Sequence, residues 1–562
     1  MNNKNESSAN LMHKKTFLKK VLYIVIGIVL FLLIGGWIFL NFFAEGVINR
    51  TVIPKLSAAT RIATHGRYVL TLGSIQYSYG TVLCRNFELL RARYDSTEEG
   101  MVVGKVVIDT VKLTGVSWWD ILRGNDISIT SMEMNTPRLY MVDASLQAPS
   151  PDVIGDSLKN FPQAPSKMPV LGFDSIVLRD ILVFLPSRSQ ESTIPSFRAT
   201  VKLSNFLLDQ ESNKKEPLLF SKRVDFSLPT FSYVTEDSFY SVQIRNLKGS
   251  LSDSLLTIDS FSYKPNYSED VYAAKHPVAR AGIDFRLTQI TLHGINYKKI
   301  FAGKSIELHK LEAETWYLNS YLDRRRPPDI HPDDSPMPNE IIQSLPIKLS
   351  IDSLILNKGK AIVRERSRGS LKPGVLFFDR TRLTVAPICS DSLGKYFGKT
   401  TEITANAYFV GEGLLRATAS YPLMDKNFNI KIHGTVGRFD TKKLNTWLIP
   451  FERLEVSEGI VESGNIDINI RSGTATTTVT PVYHDFSLKI LATDIKEKRG
   501  ILEGIKTFWA NTFVLKSNNL ATDDKPAKSG TASVTRHRDE EFMQFLWISL
   551  RKSLGKVVGG FK

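Results

Sequence analysis

The chain has 562 residues, of which 42% are hydrophobic and 23% are charged, and this composition excludes disorder over most of its length. Because the length exceeds what one hydrophobic core usually serves, we expect two or more structural units. The net charge of +15 suits a partner that carries phosphate groups, but a mildly basic, soluble surface explains it equally well.

The strongest local feature is an uncharged apolar run of 24 residues, Val21 to Ala44. A helix needs about 20 apolar residues to cross the hydrocarbon core of a membrane. Four lysines precede the run and predict that residues 1–20 stay cytoplasmic while the rest is exported: Lys14, Lys15, Lys19 and Lys20. A cleaved signal peptide is the alternative, but "NFFAEG" is a poor cleavage site. We therefore predict an uncleaved transmembrane anchor over 21–44.

Residues 45–66 predict a short helical connector that ends at Gly66. From Tyr68 onward the pattern changes to strict alternation of apolar and polar residues, as in "YVLTL", "DISIT", "FNIKI" and "GNIDINI". Strands with this pattern bury one face and expose the other. The exported part is therefore predicted to be mainly β.

Two segments, 111–129 and 290–308, align without a gap and repeat the same small device. Each has a strand, a glycine turn, one helical turn and the start of a second strand. The identical pairs are Leu113/Leu292, Gly115/Gly294, Ile121/Ile300, Gly124/Gly303 and Ile127/Ile306. The helical turn, which we call the plug, presents Trp118, Ile121 and Leu122 in the first copy and Tyr297, Ile300 and Phe301 in the second.

The duplication continues through Asp174-Ser175 and Asp352-Ser353, each of which follows a proline-rich stretch. It predicts β repeat 1 over 67–235, β repeat 2 over 236–395 and a divergent β segment over 396–490. Repeats of this kind stack and cover each other's open edges. We favour one elongated, continuous sheet, and the alternative is a tandem of two independent β-sandwich domains.

The end of the chain changes character again. Residues 491–516 predict a helical segment, and the polar stretch 517–539 predicts a flexible tether. Residues 540–562 show an apolar stripe at three- and four-residue spacing, typical of an amphipathic helix. That helix either caps the open end of the sheet or lies at a membrane interface as a docking arm.

The sequence contains no pattern that points to catalysis. Gly-x-Ser-x-Gly, His-Glu-x-x-His and Gly-rich phosphate loops are all missing. The two cysteines, Cys84 and Cys389, exclude a Cys-type zinc or iron–sulfur site and leave their pairing open. His331, Asp333 and Asp334 lie in a proline-rich linker and are interpreted as solvated turn residues. We predict a non-enzymatic protein without a cofactor, a catalytic residue or a resident metal.

The order of these segments resembles the AsmA-like family. A lysine-flanked anchor opens onto β repeats with "LPIKLSIDSLILNKGKAI", followed by "FNIKIHGTVGRFDTKKLNTWLIPFERLEVSEGIVESGNIDINI" and "GTATTTVTPVYHDFSLKIL". In that family counterparts exist for Gly434, Leu444, Asn445, Pro450, Gly459 and the Tyr483-x-Asp485-Phe486 motif, and for an aromatic "FLWISL" run.

The resemblance implies a periplasmic protein anchored in the inner membrane of a diderm bacterium, with an apolar β-groove that carries phospholipid acyl chains for outer-membrane homeostasis. The predicted groove lining is Ile127, Ile129, Ile306, Leu308, Phe428, Ile430, Ile432, Ile466, Ile468 and Ile470. Duplication would lengthen such a groove, and the plug would close one rim, unless Trp118 and Tyr297 only seal a sandwich core.

The expected partners are a phospholipid or other acyl lipid, the inner membrane through 21–44, and an outer-membrane or periplasmic protein at the C-terminal end, with no nucleic acid. Two other classes stay open. A non-enzymatic scaffold for outer-membrane protein assembly or envelope organisation needs no continuous apolar lining. An exported carbohydrate-active or hydrolytic β-protein needs carboxylates that converge in a pocket.

Overall fold

The computed structural model describes most of the chain from Arg67 onward, in the ranges 67–78, 80–92, 101–115, 127–143, 171–185, 196–208, 221–235, 237–301, 305–327, 336–345, 347–390, 395–396, 398–423, 425, 427–491, 514–538 and 540–558. The predicted anchor at 21–44, the connector at 45–66 and the first plug lie outside these ranges, as does most of 491–516. Within the described ranges, no helix is both long enough and apolar enough to cross a membrane.

The protein is mainly β and forms two compact units. Unit 1 contains residues 1–233 and 244–257, and unit 2 contains residues 234–243 and 258–562. The described strands before the crossover are β1 (Tyr68–Thr71), β2 (Ser74–Ser78), β3 (Thr81–Arg91), β4 (Met101–Thr114), β5 (Ile127–Asn135), β6 (Arg138–Asp143), β7 (Leu171–Phe184), β8 (Phe197–Leu208) and β9 (Ser221–Val234). Residues of β10 (Tyr240–Ser250) and β11 (Leu255–Pro265) belong to both units.

The remaining described strands belong to unit 2. They are β12 (Gly282–His293), β13 (Ser305–Asp323), β14 (Lys348–Arg366), β15 (Gly374–Ala386), β16 (Ile388–Cys389), β17 (Thr400–Phe409), β18 (Gly413–Pro422), β19 (Ile430–Val436), β20 (Phe439–Asp440), β21 (Leu454–Arg471), β22 (Thr474–Ile490), β23 (Val514–Asn519) and β24 (Gly530–Thr535). The helices of this unit are α1 (Glu269–Lys275), α2 (Tyr297–Phe301), α3 (Pro338–Gln343), a 3₁₀ turn (Thr441–Leu444), α4 (Asn445–Glu452) and α5 (Phe542–Val558).

Each unit contains a mixed sheet. In unit 1, antiparallel neighbours run from β3 through β4 to β5 and from β7 through β8 to β9, and β7 is parallel to β5 and β6. In unit 2, β13 and β14 are parallel, and the ladder continues antiparallel through β15, β17, β18, β19, β21 and β22 to β24. The prediction of a mainly β, repeat-built chain is therefore confirmed.

Strand register shows that the described strands of the two copies pair alike. Val111 of β4 lies opposite Met134 of β5, and Ile290 of β12 lies opposite Ala313 of β13. Val111 aligns with Ile290, and Met134 aligns with Ala313 when the gap-free alignment is extended past residues 129 and 308. A one-residue slip in either pair would turn its apolar side chains to the wrong face.

The parallel strands repeat the same register. Ser175 of the first Asp-Ser pair lies beside Ser131 in β5, and Ser353 of the second lies beside Lys310 in β13. Ser131 and Lys310 are again equivalent in the alignment. The repeat therefore includes the crossover strand as well as the plug.

Both turn glycines have the conformation that the sequence predicts. Gly115 has a φ of 73° and Gly294 a φ of 66°, in the left-handed region where a side chain is strained. A Cβ at Gly115 would overlap Thr130, and a Cβ at Gly294 would overlap the ring of His309. These two neighbours are equivalent positions as well, so the same close approach occurs twice.

The structure differs in part from the tether predicted over 517–539, because residues 517–519 belong to β23 and residues 530–535 form β24. Ala532 and Val534 are buried on one side of β24. The other side of this segment makes hydroxyl pairs with β22, namely Thr535–Thr474, Ser533–Thr476, Thr531–Thr478 and Ser529–Thr480. Small and hydroxyl residues, which suggested a linker, here pair side chain to side chain with the neighbouring strand β22.

The helix predicted over 540–562 corresponds to α5, which packs on β22 and β24. Phe545 is fully buried, and Val557 is buried near the other end of the helix. Since the apolar stripe of α5 is directed into the sheet, the described contacts favour the capping alternative over an interfacial arm.

Candidate functional site

An apolar face on unit 2 is the principal candidate site. Four of its side chains are buried, namely Ile290, Ala313, Trp316 and Leu356. Nine others are only partly buried, namely Ile258, Phe261, Leu287, Leu292, Leu311, Leu318, Leu354, Ala361 and Leu383. We call this set the apolar face. All of its described members lie on β11–β15, so no helix and no second sheet contributes a side chain to it.

Rows of apolar residues cross the strands of this face. Leu292 of β12 lies opposite Leu311 of β13. Gln289 adopts a left-handed φ of 48° between Leu287 and Ile290. Gln289 shifts the alternation of side chains by one position. Leu287 and Ile290, three residues apart, therefore belong to the same face.

Trp316 occupies the middle of the apolar face. Its indole Nε1–H donates to the backbone oxygen of Thr381 at 3.2 Å, so the buried polar atom of this large side chain is satisfied. The ring lies against Gly359 of β14, where any Cβ would overlap it. A glycine in the strand interior, normally unfavourable, therefore makes room for the indole.

The opposite side of the same strands is charged. Lys310 donates to Glu312 at 2.8 Å, and Asn357 donates to the same carboxylate at 3.1 Å. The hydrogen bond from Lys310, assisted by the one from Asn357, lowers the pKa of Glu312. Lys360 forms an ion pair with Asp379 at 3.2 Å. One face of this sheet is thus apolar and the other is a solvated charged surface.

Six of the ten predicted groove residues lie in a different apolar cluster, nearer the C-terminal end. They are Phe428, Ile430, Ile432, Ile466, Ile468 and Ile470. The cluster also contains Phe545, and α5 supplies Phe542, Leu546, Ile548 and Leu550 around it. The six residues therefore lie together, under a helix rather than along an open groove.

Small residues let α5 approach the sheet closely. Thr477 Oγ1 donates to Ser549 Oγ at 3.0 Å, and Ser553 Oγ donates to the backbone oxygen of Thr477 at 2.8 Å. All three side chains are fully buried. At Gly530 a Cβ would overlap the backbone oxygen of Ser553. The helix is seated on the sheet by hydrogen bonds as well as by apolar contact.

The other four predicted groove residues lie elsewhere. Ile129 is fully buried in unit 1, and Ile127 lies on β5 with a side chain outside the description. Ile306 is half-buried and Leu308 is buried at the beginning of β13, the strand that α2 contacts. Neither Ile306 nor Leu308 belongs to the apolar face.

The second plug is helical, as predicted. Tyr297 is buried in α2, and this burial raises the pKa of its hydroxyl to about 12. Ile300 is partly buried, and Phe301 ends the helix. The backbone N–H of Asn296 donates to the oxygen of Glu307 at 2.9 Å, which ties the plug to β13.

Sequence reasoning did not select the residues that form the apolar face. The segment "LEAETWYL" (311–318) contains its central members, Leu311, Ala313, Trp316 and Leu318. Their spacing breaks strict alternation after Ala313, so a period-two search divides them between two faces. A search that allowed one shift in the alternation would have found them.

The described residues contain no group of three or more His, Cys, Asp or Glu side chains arranged to hold a metal ion. Cys84 and Cys389 are both buried and are not joined by a disulfide. Burial raises the pKa of the Cys84 thiol to about 12, which keeps it in its unreactive protonated form.

Comparison with protein-family models found no match, and comparisons with curated proteins and with solved structures found none either. What the fold and the apolar face define is a mainly β, repeat-built chain with a partly exposed apolar sheet face.

Proposed function

We propose that this chain is an inner-membrane-anchored periplasmic protein of the AsmA-like type that binds and transfers phospholipid by its acyl chains. One observation carries the proposal: the apolar face has nine partly exposed hydrophobic members, and all of its described members, buried or exposed, lie on the strands β11–β15. A face of this kind normally marks an interaction site in a soluble domain.

An acyl chain matches the chemistry of this face. Exposing hydrocarbon to water costs about 0.8 kcal/mol per CH₂ group, or about 12 kcal/mol for a sixteen-carbon chain. A row of leucines beside Trp316 offers such a chain apolar contact along the strands. The head group stays in solvent.

The membrane location rests on the sequence. The uncharged run over 21–44 and the lysines before it support an anchor with a cytoplasmic N-terminus. Such an anchor would keep unit 1 and unit 2 on the same side of the membrane.

The test is lipid occupancy of residues 45–562, a fragment that retains α5 because Phe545 is fully buried. We expect native mass spectrometry to detect phospholipid bound at defined stoichiometry, either after purification or after incubation with liposomes. Leu318→Asp and Leu354→Asp place a charge on the apolar face at partly buried positions, and each should abolish retention. Ile129 and Leu308 are unsuitable for this test, because their burial makes unfolding the expected result.

Leu90→Asp provides the matched control, since Leu90 is 46% exposed and lies on β3 of unit 1. Circular dichroism establishes that every variant is folded. A folded wild-type fragment that stays empty after incubation with liposomes would contradict lipid binding and favour the scaffold class. Retention that is unchanged in Leu318→Asp and Leu354→Asp would place the lipid elsewhere.

A further inference from the structure

Two adjacent connections at one end of the parallel strands β13 and β14 carry a concentration of positive charge. One is the turn after β13, and the other is the loop from β14 to β15. We call their basic side chains the basic rim: Arg324, Arg325, Arg326, Arg366, Arg368 and Lys372. Arg368 Nε donates to the backbone oxygen of Arg324 at 3.3 Å, which joins the two connections.

The loop of the basic rim is held in a defined conformation. Arg366 donates to the backbone oxygens of Ser370 and Leu371, at 3.2 and 2.5 Å. Ser367 Oγ donates to the backbone oxygen of Pro450 at 3.1 Å, and Arg453 donates to that of Gly369. These bonds fix the loop backbone and leave its tip projecting into solvent.

Leu371 forms that tip. It is 90% exposed, the highest value among the large hydrophobic side chains of the described residues, where the next is Met543 at 68%. The basic residues Arg368 and Lys372 flank it in sequence, and both are exposed. One loop therefore offers both an apolar side chain that gains from leaving water and basic side chains that attract negative charge.

Among the described side chains of this rim, positive charge exceeds negative charge. Three acidic groups pair with it: Asp323 with Arg325, Glu365 with Arg324, and Asp270 with Arg366. Six basic side chains thus face three carboxylates, two of which, Asp323 and Glu365, are buried. The count covers described side chains; Asp329, Asp333 and Asp334 follow in the sequence outside them.

The rim lies at one end of the apolar strands. Val363 of β14 pairs with Leu376 of β15, only a few residues before and after the loop. Ala361, a member of the apolar face, projects from the same side of β14 as Val363. The loop therefore stands where the apolar face reaches the end of its strands.

We propose that the basic rim and Leu371 dock unit 2 onto the surface of an anionic phospholipid bilayer. Arginine and lysine attract phosphate head groups, and Leu371 enters the acyl boundary between them. Nucleic acid offers the same phosphate chemistry but has no apolar layer for an exposed leucine at the tip of the loop. This docking goes beyond lipid binding by the apolar face, and it holds or fails independently of it.

The test measures docking with the full chain, carried in nanodiscs of phosphatidylcholine and mixed with vesicles. Flotation is compared between vesicles of phosphatidylcholine alone and vesicles containing 30% phosphatidylglycerol, about a third of the lipid and enough for a negative surface potential. We expect binding only to the anionic vesicles, and we expect it to weaken as salt rises from 0.1 to 0.5 M, roughly the range over which surface charges become screened.

Arg368→Gln and Lys372→Gln should each weaken binding about fivefold, the equivalent of about 1 kcal/mol per basic residue near the surface. Leu371→Ser should weaken it about tenfold, since one leucine no longer leaves water. Leu520→Ser and Lys525→Gln are the matched controls in the connection between β23 and β24, because Leu520 and Lys525 are also exposed.

Equal binding of wild type and the Leu371→Ser, Arg368→Gln and Lys372→Gln variants would overturn the proposal. So would equal binding to neutral and anionic vesicles. A duplex oligonucleotide that binds the rim as tightly as the vesicles, without any effect of Leu371→Ser, would assign the rim to nucleic acid instead. Lipid occupancy of the apolar face is measured separately by mass spectrometry, so failure of one proposal does not imply failure of the other.

Discussion

Asp352 of the second repeat lies within hydrogen-bonding distance of three side chains. Lys395 donates to its carboxylate at 2.8 Å, Tyr396 donates to it through its hydroxyl, and His309 Nδ1 lies 3.0 Å away. Partial burial raises the pKa of Asp352, but the hydrogen bonds outweigh it and hold the pKa at about 2. His309 aligns with Thr130 of the first copy, so this cluster cannot be repeated there. The sequence identified the Asp-Ser pair as a repeat marker but not its partners.

A lowered carboxylate pKa stabilises the folded state above the unfolded value, near 3.8, and this contribution is lost as pH falls towards 2. Asp352→Asn should therefore lower the free energy of unfolding at pH 7 by about 1 kcal/mol. That figure is discounted for solvent screening, since the side chain is 32% exposed. Urea denaturation at pH 7, 4 and 3 should show that the difference in free energy of unfolding between wild type and variant becomes smaller as pH falls. Asp467→Asn, which removes a carboxylate that is 63% exposed, is the control, and a gap independent of pH would contradict the assignment.

At the scale of elements, α5 and the strands beneath it form one packed assembly. The apolar stripe from Phe542 to Val557 predicts the helix, but the pattern does not say what the stripe covers. The answer comes from β22 and β24, whose small residues admit the helix backbone. Trp547 of α5 also meets Trp447 of α4 in an edge-on contact, with ring centroids 6.1 Å apart. Contacts so distant in sequence cannot be found by local periodicity.

Gly530→Ala should loosen α5, because its Cβ would overlap the backbone oxygen of Ser553. A backbone atom cannot move aside as a flexible side chain can, so we expect a loss of about 1–3 kcal/mol. Hydrogen exchange followed by mass spectrometry should show faster exchange over 542–558. Gly434→Ala is the control, since its Cβ would have no neighbour closer than 3.8 Å. Unchanged exchange in the Gly530→Ala variant would mean that the helix is not seated as described.

At the scale of the whole molecule, the chain passes from unit 1 to unit 2 at residue 234, returns at 244 and leaves again at 258. The short segment 234–243 is therefore an essential part of unit 2. Its Tyr240 stacks on Tyr263 with ring centroids 4.4 Å apart, and its hydroxyl lies 2.9 Å from that of Tyr272. The backbone N–H of Ile283 also donates to the Tyr240 hydroxyl, at 3.3 Å. The sequence predicts a single boundary between residues 235 and 236, whereas the chain passes between the units three times.

Tyr240→Ala should destabilise unit 2 selectively by about 2 kcal/mol, because it removes a ring that stacks on Tyr263 of β11 and a hydroxyl that bonds to α1 and β12. Hydrogen exchange should accelerate over 269–293, while β3 and β4 of unit 1 keep their protection. Tyr233→Ala is the matched control, since Tyr233 is 47% exposed. Equal loss of protection in both units would show that they unfold as one cooperative body.

The sequence by itself determined the mainly β class, the repeat and the terminal helix, because each depends on local spacing. Alternation marks strands, paired glycines mark turns, and a stripe at three- and four-residue spacing marks a helix. Only the tertiary structure decided which apolar residues are covered. Ile430 and Ile468 lie beneath α5, whereas Leu318 and Leu354 stay partly exposed, although all four have the same side-chain chemistry. Burial depends on what packs above a residue, and that is set by contacts between segments far apart in the chain.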